Sequence, residues 1–153
     1  MPRVSAKAVI VNSDNKFLVL TNSYWPSNPG PAYAPDLPGG SLHRGEALER
    51  GLIREVQEEI GINISAAPRR QLMQCGVPFA GYSVVVYMVW ANIRDIRLDT
   101  EHCMFSWLTL DEMRAQPWWG GYRHLFAELE KHLQLNGQAD FAEYRQAISY
   151  AAG

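Results

Sequence analysis

The stretch from Gly40 to Ile62 reads GSLHRGEALERGLIREVQEEIGI, and the rest of the chain is best understood from it. Its second half predicts a helix from about Ala47 to Ile60 with an apolar residue at every fourth position, namely Leu48, Leu52, Val56 and Ile60. Gly61 is suited to end this helix, because glycine readily takes the left-handed conformation of a C-cap. Gly51 inside the helix costs about 1 kcal/mol against alanine. It indicates either a close approach of another backbone or a tolerated defect.

The same helix carries a cluster of carboxylates. Four glutamates fall within eleven residues without a lysine among them: Glu49, Glu55, Glu58 and Glu59. Glu58 and Glu59 lie three and four residues after Glu55, so all three share a side of the helix, and like charges at that spacing repel. A hard divalent ion, which prefers oxygen ligands, is the partner this cluster lacks. The plainer alternative is that Arg54 and Glu58 form a surface ion pair at i,i+4 spacing.

Composition limits the classes of function. The chain has 153 residues, of which 47% are hydrophobic and 20% charged, as is typical of a single globular domain. The net charge of -2 and the lack of any Lys/Arg run argue against a nucleic-acid polymer as partner, although a small phosphorylated ligand remains compatible. Cys75 and Cys103 have neither metal-ligand spacing nor a disulfide framework, which favours packed thiols in a reducing compartment.

Targeting and membrane signals are not evident in the sequence. The first residues contain no long apolar run, which argues against a signal peptide. The longest apolar run, Val84 to Ala91, is much shorter than a membrane span. We therefore expect a cytoplasmic protein that does not cross a membrane.

Strand patterns lie on both sides of the acidic helix. Alternation from Val4 to Ile10 predicts a half-buried strand, and Phe17 to Leu20 predicts its partner in a hairpin. Arg69 to Val77 and Tyr82 to Ala91 are further strand candidates. The second of these is nearly continuous in apolar residues, so it should be a central strand buried on both faces. A short strand is predicted at Phe105 to Leu108.

The C-terminal third is predicted to be mostly helical. Thr109 and Glu112 have the spacing of a capping box, so a helix should begin there. Tyr122 to Leu135 predicts an amphipathic helix, and a weaker apolar stripe follows at Phe141, Tyr144 and Ile148. That stripe could serve either packing within the chain or a homodimer contact. No linker is evident, so we predict one domain over residues 1–153, with residues 136–153 as a C-terminal helical extension.

The segment from Asn22 to Asp36 differs from its surroundings in being rich in proline and aromatic residues. Irregular loops of this length are usually functional or mobile. Its aromatic side chains either stack on the base of a nucleotide or cover the edge of the core. These residues are Tyr24, Trp25 and Tyr33.

Read as a spacing, the central stretch is Gly40, five residues, Glu46, seven residues and then Arg54-Glu55-Val56-Gln57-Glu58-Glu59-Ile60-Gly61-Ile62. It resembles, position for position, the signature of the Nudix hydrolases, and the preceding Leu37-Pro38-Gly39 is similar to the family's usual lead-in. The motif resemblance covers about residues 37–62. It implies an α+β fold, a Nudix-like α/β/α sandwich with a mixed β-sheet between helices.

The resemblance also implies an activity, namely Mg²⁺- or Mn²⁺-dependent hydrolysis of a nucleoside diphosphate linked to another moiety. The physics agrees, because a protein lined with carboxylates can hold a diphosphate only through metal ions between them. By resemblance, Glu55, Glu58 and Glu59 are metal ligands together with the Gly40 carbonyl, and Glu55 is alternatively the base that acts on the attacking water.

Four positions in the motif and its lead-in receive supporting roles. Arg54 would brace a carboxylate through bidentate hydrogen bonds. Glu46 would fix the shape of the loop before the helix. Gly39 and Gly40 would form a turn and expose backbone to the substrate.

Outside the motif the family often recruits a further acid from a loop across the sheet. Glu101 is our candidate for this catalytic acid, and Asp95 and Asp99 are the alternatives. His102 is interpreted as incidental.

Two positions bear on the substrate. Ser106 stands where some triphosphate-cleaving relatives carry an acid, which weakens the case for a triphosphate substrate. Pro78 stands where relatives acting on ADP-ribose often have proline, but it is equally a good turn residue.

Two other functional classes compete with a nucleotide pyrophosphohydrolase. One is a non-catalytic nucleotide-sensing or protein-binding module of the same fold. Such a module can lose its carboxylates, so the presence of Glu55, Glu58 and Glu59 favours an enzyme. The other is an enzyme that cleaves a pyrophosphate bond in a non-nucleotide substrate, which the sequence does not separate from the leading hypothesis.

Overall fold

The computed structural model describes residues 3–24, 32–77, 81–118, 122 and 124–132 of the chain. Its strands and helices within these ranges are β1 Arg3–Val11, β2 Phe17–Asn22, β3 Pro35–Asp36, β4 Gly39–Ser41, α1 Leu48–Ile60, β5 Arg69–Val77, β6 Tyr82–Trp90, β7 His102–Leu108 and α2 Leu110–Arg114. Residues 124–132 are also helical and are called α3 below. Trp25, Pro78 and residues 136–153 lie outside the described residues, so what we predict for them stays a prediction.

The described strands form one mixed sheet. Their order is β3-β2-β1-β6-β5, and β4 pairs with β1 while β7 pairs with β2. β1 and β6 are parallel over their whole length, whereas the other pairs are antiparallel. The predicted hairpin is present, but β1 and β2 meet only near its turn, at Val11 and Phe17. Beyond the turn β2 pairs with β3, at Leu20 and Thr21, and β7 pairs with β2 from Phe17 to Asn22.

Helices cover both faces of the sheet. The alternation along β1 directs Ala6, Ala8 and Ile10 into a core with α1, while Val9 and Val11 face a second core with α2 and α3. β6 contributes to both cores and is buried from Val84 to Trp90, as expected for a central strand. The α+β sandwich with a mixed sheet between helices is therefore confirmed.

Helix α1 docks through the predicted stripe, since Leu52, Val56 and Ile60 are completely buried. Gly61 ends the helix in the left-handed conformation at φ 74°, and its N–H bonds to the Gln57 carbonyl. Gly51 has a packing reason. A Cβ there would lie 2.0 Å from a Leu42 methyl group, so the glycine admits side chains of the preceding loop and not another backbone.

The C-terminal part also follows the prediction where it is described. Thr109 and Glu112 form the reciprocal hydrogen bonds of a capping box at the start of α2. The helix predicted from Tyr122 to Leu135 is observed at residues 124–132, and Leu125 and Leu129 are buried in the core beneath it. Within the described ranges, no helix is both long enough and apolar enough to span a membrane.

Candidate active site

A cavity of about 330 Å³ opens where β1, β4 and α1 meet. It brings together five residues predicted to act in the site, Gly39, Gly40, Glu55, Glu59 and Glu101, with several that the sequence did not single out. The full lining comprises Ser5, Lys7, Asp36, Gly39, Gly40, Ser41, Glu55, Glu59, Tyr82 and Glu101. Four of these side chains are carboxylates and one is a lysine, so the cavity is acidic.

The two glycines of β4 form the floor of the cavity. Gly39 lies opposite Lys7 in the β1–β4 pairing and has a φ of 123°, a conformation that favours glycine. A Cβ at Gly39 would lie 2.1 Å from the Ala6 carbonyl oxygen, so no larger residue fits without moving β1. The glycine therefore allows β4 to approach β1 closely and presents its peptide N–H towards α1.

Glu59 receives that N–H. The Gly39 nitrogen donates to Glu59 Oε2 at 2.7 Å, and the Glu59 residue is only 5% exposed. Burial raises the pKa of Glu59 to about 7, although Lys7, the Gly39 hydrogen bond and His102 act in the opposite direction. A buried carboxylate with this pKa gains most from a cation placed in the cavity beside it.

Glu55 lies against the next glycine. A Cβ at Gly40 would be 2.6 Å from Glu55 Oε2, so the carboxylate occupies the space that any larger residue would fill. The other carboxylate oxygen accepts from Arg54 Nη1 at 2.9 Å. Glu55 and Glu59, one helical turn apart, thus face the same two peptide units of β4.

Arg54 connects the loop before α1 to the helix. Its Nε and Nη2 donate to the two oxygens of Glu46 at 2.8 and 2.9 Å, a bidentate pair, and Nη2 also donates to the Ser41 carbonyl at 3.1 Å. These hydrogen bonds, together with one from the His43 N–H, lower the pKa of Glu46 to about 2. Arg54 does not line the cavity, so its geometry is that of a brace.

Glu58 is not brought into the cavity. Its side chain is 58% exposed, and both carboxylate oxygens lie 3.2 Å from Arg54 Nη1. It lines a separate surface depression with Arg50, Ile53, Arg54 and Gln57. The i,i+4 ion pair considered from the sequence is therefore formed, and Glu58 must reorient to share a ligand with Glu55 and Glu59.

The three candidate acids of the loop before β7 have different positions. Glu101 is exposed and lines the cavity, and its carbonyl accepts from the Ser23 N–H at 2.8 Å. Asp99 is bonded instead to His102, with Nδ1 and Oδ1 2.9 Å apart. Asp95 is exposed and does not line the cavity. Of the three, Glu101 alone lines this cavity.

The sequence does not single out a row of charged residues, of which Lys7 and Asp36 line the cavity and His102 lies behind them. Lys7 Nζ donates to both Asp36 oxygens, at 3.1 and 3.3 Å, and Asp36 Oδ2 lies 3.2 Å from His102 Nε2. Burial alone would lower the pKa of Lys7, but Asp36 outweighs it and the pKa is raised. Despite burial, Lys7 and His102 hold the pKa of Asp36 below its ordinary value.

His102 is charged in this arrangement. Its burial opposes ionisation, yet the hydrogen bonds to Asp36 and Asp99 raise the pKa of His102 to about 9. Glu59, Asp99 and His102 each offer a ligand atom, and these atoms lie within 4.8 Å of one another, as in a metal site. Both ring nitrogens of His102 already face carboxylate oxygens, so a metal ion held by these three residues would have to displace one of those hydrogen bonds.

Two exposed aromatic side chains occur in the proline-rich segment. Tyr24 is 62% exposed and Tyr33 is 61% exposed, and their ring centroids are 6.3 Å apart. Neither side chain fills the core, which argues against the packing interpretation for these two residues. Trp25, the third aromatic residue of the prediction, lies outside the described residues.

The NUDIX domain, which defines the Nudix hydrolases, matches residues 1–129 of the sequence. The chain belongs to the Nudix family. Members of this family are hydrolases that act on pyrophosphate bonds. The resemblance seen at residues 37–62 therefore extends over most of the chain. The matched residues include every described strand and the helices α1 and α2.

Solved structures of Nudix proteins share the fold. A MutT protein from Methanosarcina mazei Go1 is 26% identical, with a TM-score of 0.67 over 85% of this chain and 94% of that chain. A MutT NUDIX hydrolase from Burkholderia pseudomallei is 27% identical, with a TM-score of 0.66 over 84% and 98%. An Ap4A hydrolase from C. elegans is 22% identical, with a TM-score of 0.67 over 86% and 98%. Comparison with curated proteins gives no match.

Proposed function

We propose that this Nudix protein is a pyrophosphohydrolase that cleaves a nucleoside diphosphate linked to another moiety, by attack of water on a phosphorus atom. The observation that carries the proposal is the acidic cavity in which Glu55 and Glu59 face the Gly39–Gly40 backbone. A diphosphate is itself anionic, so the cavity suits this substrate only with cations between the two sets of charge.

The residues present fit a divalent cation, Mg²⁺ or Mn²⁺. Glu59 is a buried carboxylate whose pKa is raised to about 7, chiefly by burial, and this is the cost that a bound cation relieves. Glu55, Glu59 and the Gly40 carbonyl would hold the ion, with Glu58 as a further ligand once it leaves Arg54. When bound, the ion supplies neutralisation of phosphate oxygens and lowers the pKa of a coordinated water.

The remaining roles belong to side chains around the cavity. Glu101 lines the cavity opposite the α1 carboxylates and is placed to hold or accept a proton from the attacking water, and Glu55 is the alternative base. Arg54 holds Glu46, Glu55 and the Ser41 carbonyl in one arrangement, which fixes the loop on which Gly40 lies. Gly39 and Gly40 leave room for phosphate groups because they have no side chains.

For the nucleoside, Tyr24 and Tyr33 are the proposed platform. Both are exposed rings, and stacking on a base is worth about 1–3 kcal/mol per base in single-strand binding sites. Trp25 would belong to the same platform. The C. elegans structure of the same fold is of an Ap4A hydrolase, so dinucleoside polyphosphates join ADP-ribose, sugar nucleotides and triphosphates among the substrates to test.

The test is a hydrolysis screen of these four substrate classes with Mg²⁺ or Mn²⁺, carried out in ¹⁸O-water. We expect turnover of at least one class, with ¹⁸O in a phosphate group of one product. The Glu59→Gln variant serves as the inactive control, because it removes a cavity charge while preserving size. Tight binding of a nucleotide without turnover of any class would instead support the non-catalytic sensor, and calorimetry on the same ligands detects it.

A further inference from the structure

We propose that His102 is a positioning residue that holds the Gly39 peptide, and through it the Glu59 carboxylate, in the geometry required for metal binding. This inference rests on the proposed function, since it assigns Glu59 to a cation. His102 lies at the first position of β7, and its side chain is 2% exposed. It does not line the cavity, so any effect on the reaction must pass through other residues.

The first link runs from His102 to the segment before β4. Asp36 Oδ2 accepts from His102 Nε2 at 3.2 Å, while both Asp36 oxygens accept from Lys7 Nζ. The remaining contacts of Lys7 are with backbone, at the Leu37 carbonyl at 3.1 Å and the Gly39 carbonyl at 2.8 Å. Asp36 therefore orients Lys7, and Lys7 holds the Gly39 peptide by its oxygen.

The second link runs to the helix through the backbone of Gly39, whose carbonyl and N–H belong to two successive peptide units. The nitrogen of Gly39 donates to Glu59 Oε2 at 2.7 Å, while the carbonyl oxygen of the same residue accepts from Lys7. A displacement of the segment from Asp36 to Gly39 would thus move the N–H away from the carboxylate. Since Glu59 is buried, it has few other donors to replace this bond.

The third link returns to the helix from the other side. His102 Nδ1 lies 2.9 Å from Asp99 Oδ1, and the Asp99 N–H donates to the Glu59 carbonyl at 3.0 Å. The side chain and the backbone of Glu59 are therefore both reached from His102, by two separate routes.

The charges along these routes balance. Lys7 and His102 are paired with the carboxylates of Asp36 and Asp99 through hydrogen bonds, so two basic side chains are matched by two acidic ones. Glu59 lines the cavity beside this group and accepts from the Gly39 N–H. Outer partners of metal ligands typically change metal affinity or activity by about 10- to 100-fold when they are replaced.

Two conservative variants separate the two routes. His102→Asn keeps a donor near the position of Nδ1, and so retains Asp99 while losing Asp36. His102→Gln keeps a donor near Nε2, and so retains Asp36 while losing Asp99. Because the route to the Gly39 peptide passes through Asp36, His102→Asn should be the more damaging and His102→Gln the partial rescue.

The first readout is hydrogen exchange at the Gly39 amide, measured by NMR without metal. We expect exchange in His102→Asn to be faster by about tenfold, the scale of one lost hydrogen bond, with a smaller change in His102→Gln. The buried Leu52 amide of α1 reports global opening, so the acceleration at Gly39 is measured relative to that at Leu52 in each variant. Equal acceleration at Gly39 and Leu52, or Gly39 exchange within twofold of wild type, would overturn the proposal.

The second readout is Mn²⁺ affinity by calorimetry, where His102→Asn should weaken binding by about tenfold or more. Thr109→Ala is the matched control, because it removes the α2 cap at the far end of β7 and lowers stability without touching the site. If wild-type protein neither binds Mn²⁺ nor hydrolyses nucleotides, the proposed function is refuted. If the exchange of the Gly39 amide still depends on His102 in that case, the link from His102 to Gly39 stands. Undiminished Mn²⁺ affinity in both His102 variants would refute the positioning role.

Discussion

Replacement of Glu59 by glutamine separates the stability of the fold from its function. The side chain keeps its size, and the carboxamide oxygen introduced by Glu59→Gln can still accept from the Gly39 N–H, which now lies 2.7 Å from Oε2. The change removes one negative charge from a residue that is 5% exposed. Loss of this charge should raise the stability of the metal-free protein, because a buried charge is unfavourable without a cation. The same loss should lower turnover, because the charge is needed to bind the cation.

The size of the stability effect follows from the pKa. Burial raises the pKa of Glu59 from an ordinary 4.5 to about 7, so the folded protein holds this proton more tightly than the unfolded chain does. Stability in the metal-free state therefore falls as pH rises from 4.5 to 7, and above pH 7 the full penalty is on the order of 3 kcal/mol. Metal-free Glu59→Gln should exceed wild type by up to that amount at pH 8, and should match it near pH 4.5.

The assay is urea unfolding of EDTA-treated protein at both pH values, followed by turnover at saturating Mg²⁺. Turnover should fall by about 10²- to 10⁴-fold, as on loss of a metal-positioning or proton-transfer group. Glu49→Gln is the matched control, because Glu49 is on the same helix and pairs with Arg69 away from the cavity. The reasoning is refuted if metal-free Glu59→Gln is less stable than wild type at pH 8, and the site assignment fails if it retains wild-type turnover.

Three further perturbations test the surroundings of the cavity. Gly40→Ala places a Cβ 2.6 Å from Glu55 Oε2, so we expect a folded protein by circular dichroism with kcat/KM lowered by about tenfold or more. Arg54→Lys loses the bidentate pair with Glu46, and should cost about 1 kcal/mol in urea unfolding and also reduce turnover. The pKa of His102 is raised from 6.5 to about 9, so its contribution is complete below pH 6.5 and is lost as pH rises through 9. Metal-free wild type should thus lose about 2 kcal/mol relative to His102→Gln between pH 6.5 and 9.5 in the same urea assay.

The sequence predicts the architecture correctly wherever a helix or strand has its own apolar pattern. The four-residue recurrence of Leu52, Val56 and Ile60 predicts both the helix and its buried face, and the structure buries all three completely. The apolar run of β6 likewise predicts a strand covered on both sides. The sequence does not predict that β7 pairs with β2, because this pairing joins residues as distant as Phe17 and Leu108 and depends on the whole sheet.

The sequence predicts that the three glutamates share one side of α1, whereas in the structure Glu58 lies apart from Glu55 and Glu59. Successive helical residues are rotated by about 100° around the helix axis. Relative to Glu55, Glu59 therefore lies about 40° to one side and Glu58 about 60° to the other. That difference is enough to place Glu59 under the Gly39 peptide and Glu58 beside Arg54 in solvent. Spacing alone gives the side of a helix, but the neighbour that each carboxylate meets is decided by β4 and the loop before it.

The buried charges show the limit of alternation as a signal. Arg3, Ser5 and Lys7 alternate with apolar residues, a pattern that predicts a solvent-facing row, yet Lys7 is enclosed by Asp36 and two backbone carbonyls. A strand face turned to a polar cavity and one turned to water require the same residue types, so only the pairing of β1 with β4 distinguishes them. Lys7 lines the cavity, but its hydrogen bonds go to Asp36 and two backbone carbonyls, so in the proposed function the cations at Glu55 and Glu59 would supply most of the positive charge that a diphosphate needs.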